Sequence, residues 1–325
     1  MTAPVLEVHL SETDAAHALR HDVRLGLSAD PKWLSPRWFY DARGSELFEQ
    51  ITMLPEYYPT RTERELLRQV VAQIAARAAV DALVELGSGS SEKTRLLLDA
   101  LTATGSLRRF VPLDVSESAL RAAMAAVARE YPGLVVHGVV GDFTEHLELL
   151  PAVRSERRLV AFLGGTIGNL VPNERAAFFA TLHAALHPGE LLLVGAGLVT
   201  DPAIMVPAYD DAAGITAEFN RNVLHVLNRE LGADFDVSAF DHLALWDVTH
   251  EWIEMRLQAR RAMTVQVPAI GMRAQFAEGE QMRTEVSTKF RRAGLGAELQ
   301  TAGFTDQLWW TDPDDRFALV LAAAS

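Results

Sequence analysis

One stretch, Leu83-Val84-Glu85-Leu86-Gly87-Ser88-Gly89-Ser90-Ser91-Glu92-Lys93-Thr94, constrains this chain more than any other. It reads as a short buried strand, a glycine turn and the first turn of a helix. An open α/β sheet builds a nucleotide-sized pocket in this way, at the carboxyl end of a strand. A phosphate-binding P-loop needs Gly-x-x-x-x-Gly-Lys-Thr, and the second glycine is replaced here by Glu92, directly before Lys93-Thr94. A carboxylate at that position repels the phosphates that the loop amides would cradle. A dinucleotide fingerprint needs a third glycine for close helix packing, and that position is again Glu92. What survives is a turn, Gly87-Ser88-Gly89, for a ligand that carries adenosine without phosphates.

The surrounding pattern supports an α/β fold. Apolar runs at 82–86, 109–113, 134–139, 159–163 and 191–194 alternate with helical stretches at 93–102, 118–130 and 173–186. Continuous apolar runs suit parallel strands covered on both faces. The last helix stops at His187-Pro188-Gly189. Near the C-terminus, 304–310 and 317–322 flank Asp312-Pro313-Asp314-Asp315 and predict a hairpin that completes the sheet with one reversed strand. A Rossmann-like, seven-stranded sheet of this kind resembles the class I methyltransferases, which use S-adenosylmethionine. Between 199 and 287 the alternation stops: a long helix at 215–231 is followed by extended pieces at 253–259, 264–267 and 272–276. The expected organisation is a methyltransferase core at 1–198, an inserted α+β substrate-binding domain at 199–287, and sheet completion at 288–325. The aromatic- and proline-rich segment 31–64 is expected to pack on the core as a lid.

Composition narrows the function classes. A net charge of −13 leaves no excess of Lys or Arg to neutralise a nucleic-acid backbone. With no cysteine, disulfides, thiolate zinc sites and cysteine nucleophiles are all excluded. No metal site is expected among the ten histidines, most of which are read as surface or capping residues. The N-terminus lacks a basic region followed by an apolar one, and no apolar run approaches the roughly 18 residues of a membrane span. A cytoplasmic monomer is expected, with neither nucleic acid nor membrane as a partner.

Several residues at the strand ends are candidates for the ligand. Asp114 closes the second run and is placed to accept both ribose hydroxyls; the plain alternative is a helix N-cap before Val115-Ser116-Glu117. Asp142-Phe143 closes the third, where the acid can accept from an adenine amino group and the ring can pack on the base. A loop acid beside a core Phe fits equally well. Lys93 can face a carboxylate as a point charge or simply be a solvated lysine. Gly164, Gly165 and Gly168 let backbone approach a ligand, and Asn169 can act as a donor and acceptor above the reacting centre or as a turn residue.

Longer motifs carry a more specific resemblance. Trp38-Phe39-Tyr40-Asp41, Leu54-Pro55-Glu56-Tyr57-Tyr58-Pro59-Thr60-Arg61, Leu86-Gly87-Ser88-Gly89, the 164–170 segment, Ala208-Tyr209-Asp210-Asp211-Ala212 and Phe219-Asn220-Arg221-Asn222 are the residues concerned. Together they resemble the histidine-specific N-α-methyltransferases of ergothioneine biosynthesis, over nearly the whole chain. The resemblance implies methylation of histidine, by S-adenosylmethionine, to its trimethylammonium betaine hercynine. It implies a cofactor pocket of Tyr40, Gly87, Ser88, Gly89, Lys93, Asp114, Asp142, Phe143 and Gly164. It places Tyr57 near the substrate amine as the catalytic candidate, and Asn169 and Tyr209 on the carboxylate. Glu285 and Ser287 would read the imidazole, with Thr216 and Met255 lining that pocket. Without the resemblance, Glu285 and Ser287 are alternate residues on one strand face and Met255 reads as core. The chain departs from the family at Gly195-Ala196-Gly197-Leu198-Val199-Thr200-Asp201, where relatives carry Gly-Thr-Asp-Leu-Val-Lys-Asp. An acid and a base are absent together, as in a paired contact replaced as a unit.

Two competing readings remain open from the sequence. One keeps the fold and cofactor but methylates another amino acid, such as tryptophan or a modified histidine. The other is an inert protein that binds S-adenosylmethionine.

Overall fold

The structure is a computed structural model that describes residues 4–89, 91, 93–150 and 156–325. Glu92, on which both phosphate readings turn, lies outside the described residues. The chain divides into two compact units: Met1–Leu10 with Pro59–Val199 and Phe290–Ser325, and Ser11–Tyr58 with Thr200–Lys289. The strands, in chain order, are β1 (Val5–Val8), β2 (Ala82–Leu86), β3 (Arg109–Asp114), β4 (Val135–Val140), β5 (Arg158–Phe162), β6 (Leu191–Gly197) and β7 (Phe240–Asp247). They continue with β8 (Trp252–Ala259), β9 (Met263–Val267), β10 (Met272–Phe276), β11 (Gln281–Thr288), β12 (Phe304–Thr311) and β13 (Phe317–Ala324).

In the first unit the strand order is β1-β4-β3-β2-β5-β6-β13-β12. All pairs from β1 to β6 are parallel, β13 runs antiparallel to β6, and β12 runs antiparallel to β13. The apolar runs are continuous because successive residues serve opposite faces. Leu83, Phe110, Leu159, Leu193 and Leu319 enter one core, while Val84, Val111, Val160, Leu192 and Val320 enter another. A strand that is buried on both faces has no polar alternation to show.

The sequence predicts seven strands in this sheet, and the described residues contain eight. The addition is β1, whose register runs from Val5 opposite His137 to Val8 opposite Val140. It is a four-residue edge strand with exposed ends, too short and too open to carry a buried-run signal.

The second unit holds the antiparallel sheet β11-β8-β7, the pair β10-β9 and the helix Ile215–Leu231. That helix ends on Gly232 in the left-handed conformation, where glycine carries no Cβ penalty. The sequence assigns residues 11–58 to the sheet's own domain, yet Ser11–Tyr58 groups with Thr200–Lys289. The reason is a shared core: Leu19, Val23, Leu34, Phe39 and Ile51 pack in one cluster with Phe219, Val223, Phe240 and Met255. Motif residues hold this cluster together. Asp41 caps the helix Ala42–Met53 by accepting the Gly44 N–H at 2.8 Å, and Asn222 Nδ2 donates to the same Asp41 oxygen at 2.7 Å. Among the described residues no helix is long and apolar enough to cross a membrane.

At the start of β5, Arg158 and Glu190 form a bidentate pair, Nε to Oε1 and Nη2 to Oε2 at 2.7 Å each, with both side chains 3% exposed. Removing one partner strands a buried charge, which costs about 3–5 kcal/mol. Arg158→Met should lower the unfolding free energy by about that amount in urea denaturation, whereas a loss below about 1 kcal/mol would show that the pair is dispensable.

Candidate functional site

In the first unit β2 lies between β3 and β5, so the strand order reverses beside it. The crevice beyond the carboxyl end of such a strand is the ligand position of an open α/β sheet. The turn after β2 is built from backbone: Gly87 and Ser88 N–H both donate to the Leu113 carbonyl, at 2.9 and 3.1 Å. Gly87 and Gly89 have φ of +68° and +48°, and a Cβ on either would enter open space. Ser88 is buried, and its Oγ has no hydrogen-bond partner among the described residues. A buried orphan hydroxyl beside open backbone fits a polar ligand in the turn.

Two carboxyls brace this turn. Asp114 Oδ2 accepts the Gly89 N–H at 2.8 Å and Oδ1 accepts the Ser116 N–H at 2.9 Å. The N-cap of the following helix is Ser116, so Asp114 is not the cap. Burial pushes the Asp114 carboxyl up, against the amides of Ser116, Gly89 and Val115. Glu85, in β2, accepts the Ser91 hydroxyl at 3.1 Å and is hydrogen-bonded by the Thr94 hydroxyl. Burial pushes its carboxyl up to about 7, although Thr94, Ser91 and Lys93 favour the charged form.

Lys93 has a partner that its local sequence does not reveal. Its ammonium is paired with Glu63, from the helix Tyr58–Ala78, and the other Glu63 oxygen accepts the Gly164 N–H at 2.7 Å. Glu63 is fully buried, and Gly195 leaves it room: a Cβ there would lie 2.1 Å from Oε1. Asp142 is buried, and its Oδ1 accepts the Thr144 N–H at 2.8 Å and hydroxyl at 2.6 Å. Phe143 is half-buried, with its ring 4.9 Å from that of Phe162. Asn169 is half-buried at the end of the short turn Thr166–Asn169, reached through Gly164 and Gly165 at positive φ.

The second unit collects most of the residues implied for the acceptor. Tyr57 and Tyr209 are buried with ring centroids 6.2 Å apart, and Phe48 lies 6.2 Å from Tyr57. The half-exposed Tyr40 ring packs on Phe48 and Phe219 at 5.7 and 5.5 Å. Thr216 is buried in the first turn of the helix Ile215–Leu231, with its N–H on Asp211 at 2.7 Å. In β11 the register shifts between Arg283 and Glu285, which sets Glu285 opposite Met255 and Ser287 opposite Ile253. Bulges of this kind re-aim side chains. Thr284, within the shift, donates to Asn220 Oδ1 at 2.6 Å and to the Met255 carbonyl at 3.0 Å.

Lys289 is not among the residues that the sequence singles out. Positions 285, 287 and 289 follow the period of a strand face, so a signal for it exists. Lys289 is 4% exposed, and its ammonium donates to Tyr209 Oη at 2.7 Å and to Ser287 Oγ at 2.9 Å. Tyr209 and Ser287 are themselves 2.8 Å apart. Burial pushes the Tyr209 phenol up, reinforced by the Glu285 charge, and burial pulls the Lys289 ammonium down.

The sequence profile described as "Histidine-specific methyltransferase, SAM-dependent" matches residues 19–324. The chain belongs to this family. It is 57% identical to the histidine N-α-methyltransferase of Mycolicibacterium smegmatis, over 97% of each chain. It is 56% identical to the enzyme of the same name from Mycobacterium tuberculosis, over 97% of this chain and 98% of that one. Ergothioneine biosynthesis protein 1 of Neurospora crassa is 30% identical over 86% of this chain and 32% of its own length. The family's methyl donor is S-adenosylmethionine. The open Gly87–Gly89 turn and the orphan Ser88 hydroxyl fit that donor.

Glu85 gives this site a pH signature. Its folded pKa of about 7 stands above the ordinary 4.5. The stability it contributes is therefore fully present below pH 4.5 and is lost as the pH rises through 7. That gap corresponds to about 3 kcal/mol. In unfolding titrations without ligand, wild type should lose about 3 kcal/mol relative to Glu85→Gln between acid and mildly alkaline pH. Parallel profiles would mean that the fold does not raise the Glu85 pKa.

Proposed function

We propose that this protein transfers three methyl groups in succession from S-adenosylmethionine to the α-amino nitrogen of L-histidine, giving hercynine. One observation carries this reading. A unit with a largely apolar core buries Glu285, Ser287, Tyr209 and Lys289 in a chain 57% identical to a histidine N-α-methyltransferase. Buried polar groups are costly, and a set of them concentrated at the residues that the family resemblance assigns to substrate has a use in recognition.

The donor residues in this reading are Tyr40, Gly87, Ser88, Gly89, Lys93, Asp114, Asp142, Phe143 and Gly164. When bound, S-adenosylmethionine supplies a sulfonium methyl that is already activated for displacement by an amine lone pair. The chain's own work is alignment and exclusion of water. Asp114 accepts ribose hydroxyls with the lone pairs that remain after Gly89 and Ser116 have bound. Lys93 pairs with Glu63 through one N–H and has others for the carboxylate of the methionyl portion. Asp142 accepts from the adenine amino group beside Phe143.

On the acceptor side, Asn169 and Tyr209 bind the carboxylate, while Glu285 and Ser287 read the imidazole. Met255 and Thr216 supply the adjoining walls. Tyr57 orients the amine lone pair, and water carries the proton away. A free phenol, with a pKa of about 10, is a poor base at neutral pH but an adequate hydrogen-bond acceptor.

Mass spectrometry of histidine incubated with protein and S-adenosylmethionine should show one, two and then three added methyl groups. Tryptophan and tyrosine should remain unmodified. Methylation of tryptophan in preference to histidine would favour the other-acceptor reading, and no product with any of the three would favour an inert binder. Tyr57→Phe should lower kcat by at least about tenfold, because misplacing a reacting group costs up to about 100-fold. Full turnover through all three methylations would remove Tyr57 from that role. Glu285→Ala should reduce kcat/KM for histidine on the order of 100-fold and relax exclusion of tryptophan, since a charge is no longer left unpaired by an indole. Unchanged histidine kinetics would overturn the imidazole assignment.

A further inference from the structure

Lys289 is a buried cation whose two hydrogen-bond partners are neutral hydroxyls. Its Nζ also lies 4.7 Å from the Tyr209 ring centroid, a contact that eases but does not neutralise the charge. Glu285 and Tyr58 act on it through space in the direction that favours the charged form. A buried ammonium held in this way is stabilised by an anion that arrives with a ligand.

The polarity of the hydrogen bonds locates that anion. An ammonium is all donor, so Lys289 uses one lone pair on Tyr209 Oη and one on Ser287 Oγ. Those two oxygens are 2.8 Å apart and share one further hydrogen bond. Two hydroxyl protons are present and the shared bond uses one, so one O–H is left to donate outward. If Ser287 donates to Tyr209, the Tyr209 proton points out toward an acceptor and Ser287 keeps a lone pair for a ring N–H. This polarity matches an amino acid whose carboxylate meets Tyr209 and whose imidazole meets Ser287.

We infer that Lys289 is a positioning residue that leaves the Tyr209–Ser287 pair one outward O–H and supplies positive charge beside Tyr209, so that the site takes amino acids with a free α-carboxylate and rejects amides and peptide N-termini. The inference rests on the proposed function and assigns its selectivity for a free carboxylate to Lys289. A charge-assisted hydrogen bond supports discrimination on the order of 10- to 100-fold.

The test is isothermal titration of L-histidine and L-histidinamide into the full chain, as wild type and as Lys289→Met, at one fixed pH. Wild type should prefer histidine on the order of 10- to 100-fold. In Lys289→Met the preference should fall to within about threefold, through weaker histidine binding, and in turnover the loss should fall on KM more than on kcat. Comparing the preference between variants cancels the difference in amine basicity between the two ligands. A wild-type preference that survives intact in Lys289→Met overturns the role of Lys289 and leaves the histidine reading standing. Equal binding of the two ligands by wild type does the same. Failure of wild type to bind histidine overturns both. If circular dichroism shows that Lys289→Met is unfolded, Lys289→Gln, neutral but polar, takes its place, and the same change in preference decides.

Discussion

The hydrogen bonds to Glu85 hold the ligand end of the sheet in place. Its carboxyl is enclosed by β2, the hydroxyls of Ser91 and Thr94 close on it, and the turn between strand and helix is thereby tied back to the strand it leaves. Asp114 does the same from the neighbouring strand through the Gly89 amide. Glu85 holds the turn through two side-chain hydroxyls and Asp114 through the Gly89 amide, and the space where a Cβ would stand at Gly87 or Gly89 stays open. A buried carboxyl with a pKa of about 7 is the energetic consequence of that geometry. Glu63 extends the pattern: its two oxygens serve Lys93 and the Gly164 amide, and a glycine at 195 makes the space for them.

The second unit solves a different problem, which is to keep polar groups inside an apolar core. It does so with side-chain networks that link distant segments. The His242 ring accepts from Asn220 Nδ2 and donates to the Tyr209 carbonyl, both at 2.8 Å, while Asn220 Oδ1 takes the Thr284 hydroxyl. Burial pulls the His242 pKa down, in keeping with a ring held neutral. Tyr209 is therefore gripped at both ends, by His242 at its backbone and by Lys289 and Ser287 at its hydroxyl. Such networks rigidify a site because each bond restricts the arrangement of the groups that share it.

The legibility of these features in the sequence depends on how far their partners lie along the chain. The strands of the first unit are readable because burial on both faces writes an unbroken apolar run. β1 is not, since an edge strand of Val-Leu-Glu-Val depends for its existence on β4, some 130 residues away. The glycine turn and Asp114 are readable as a local pattern. Glu63 is not, because its contacts span 30 and 101 residues and nothing in Arg61-Thr62-Glu63 marks a buried acid. Lys289 falls between these cases: its place in the period of Glu285 and Ser287 is visible, but the burial that gives it meaning is not.

From local chemistry, the sequence determined a glycine turn without a phosphate loop's second glycine and a two-face-buried parallel sheet, while the resemblance of long motifs pointed to the family. The turn and the sheet follow from spacing and residue type over a few positions, where backbone geometry and periodicity leave few alternatives. Only the tertiary structure decided that Ser11–Tyr58 shares a core with Thr200–Lys289, that Lys93 is paired with Glu63, and that Lys289 stands behind Tyr209 and Ser287. The physical reason is that burial and pairing are properties of what surrounds a side chain. For these residues the surroundings come from segments far away along the chain.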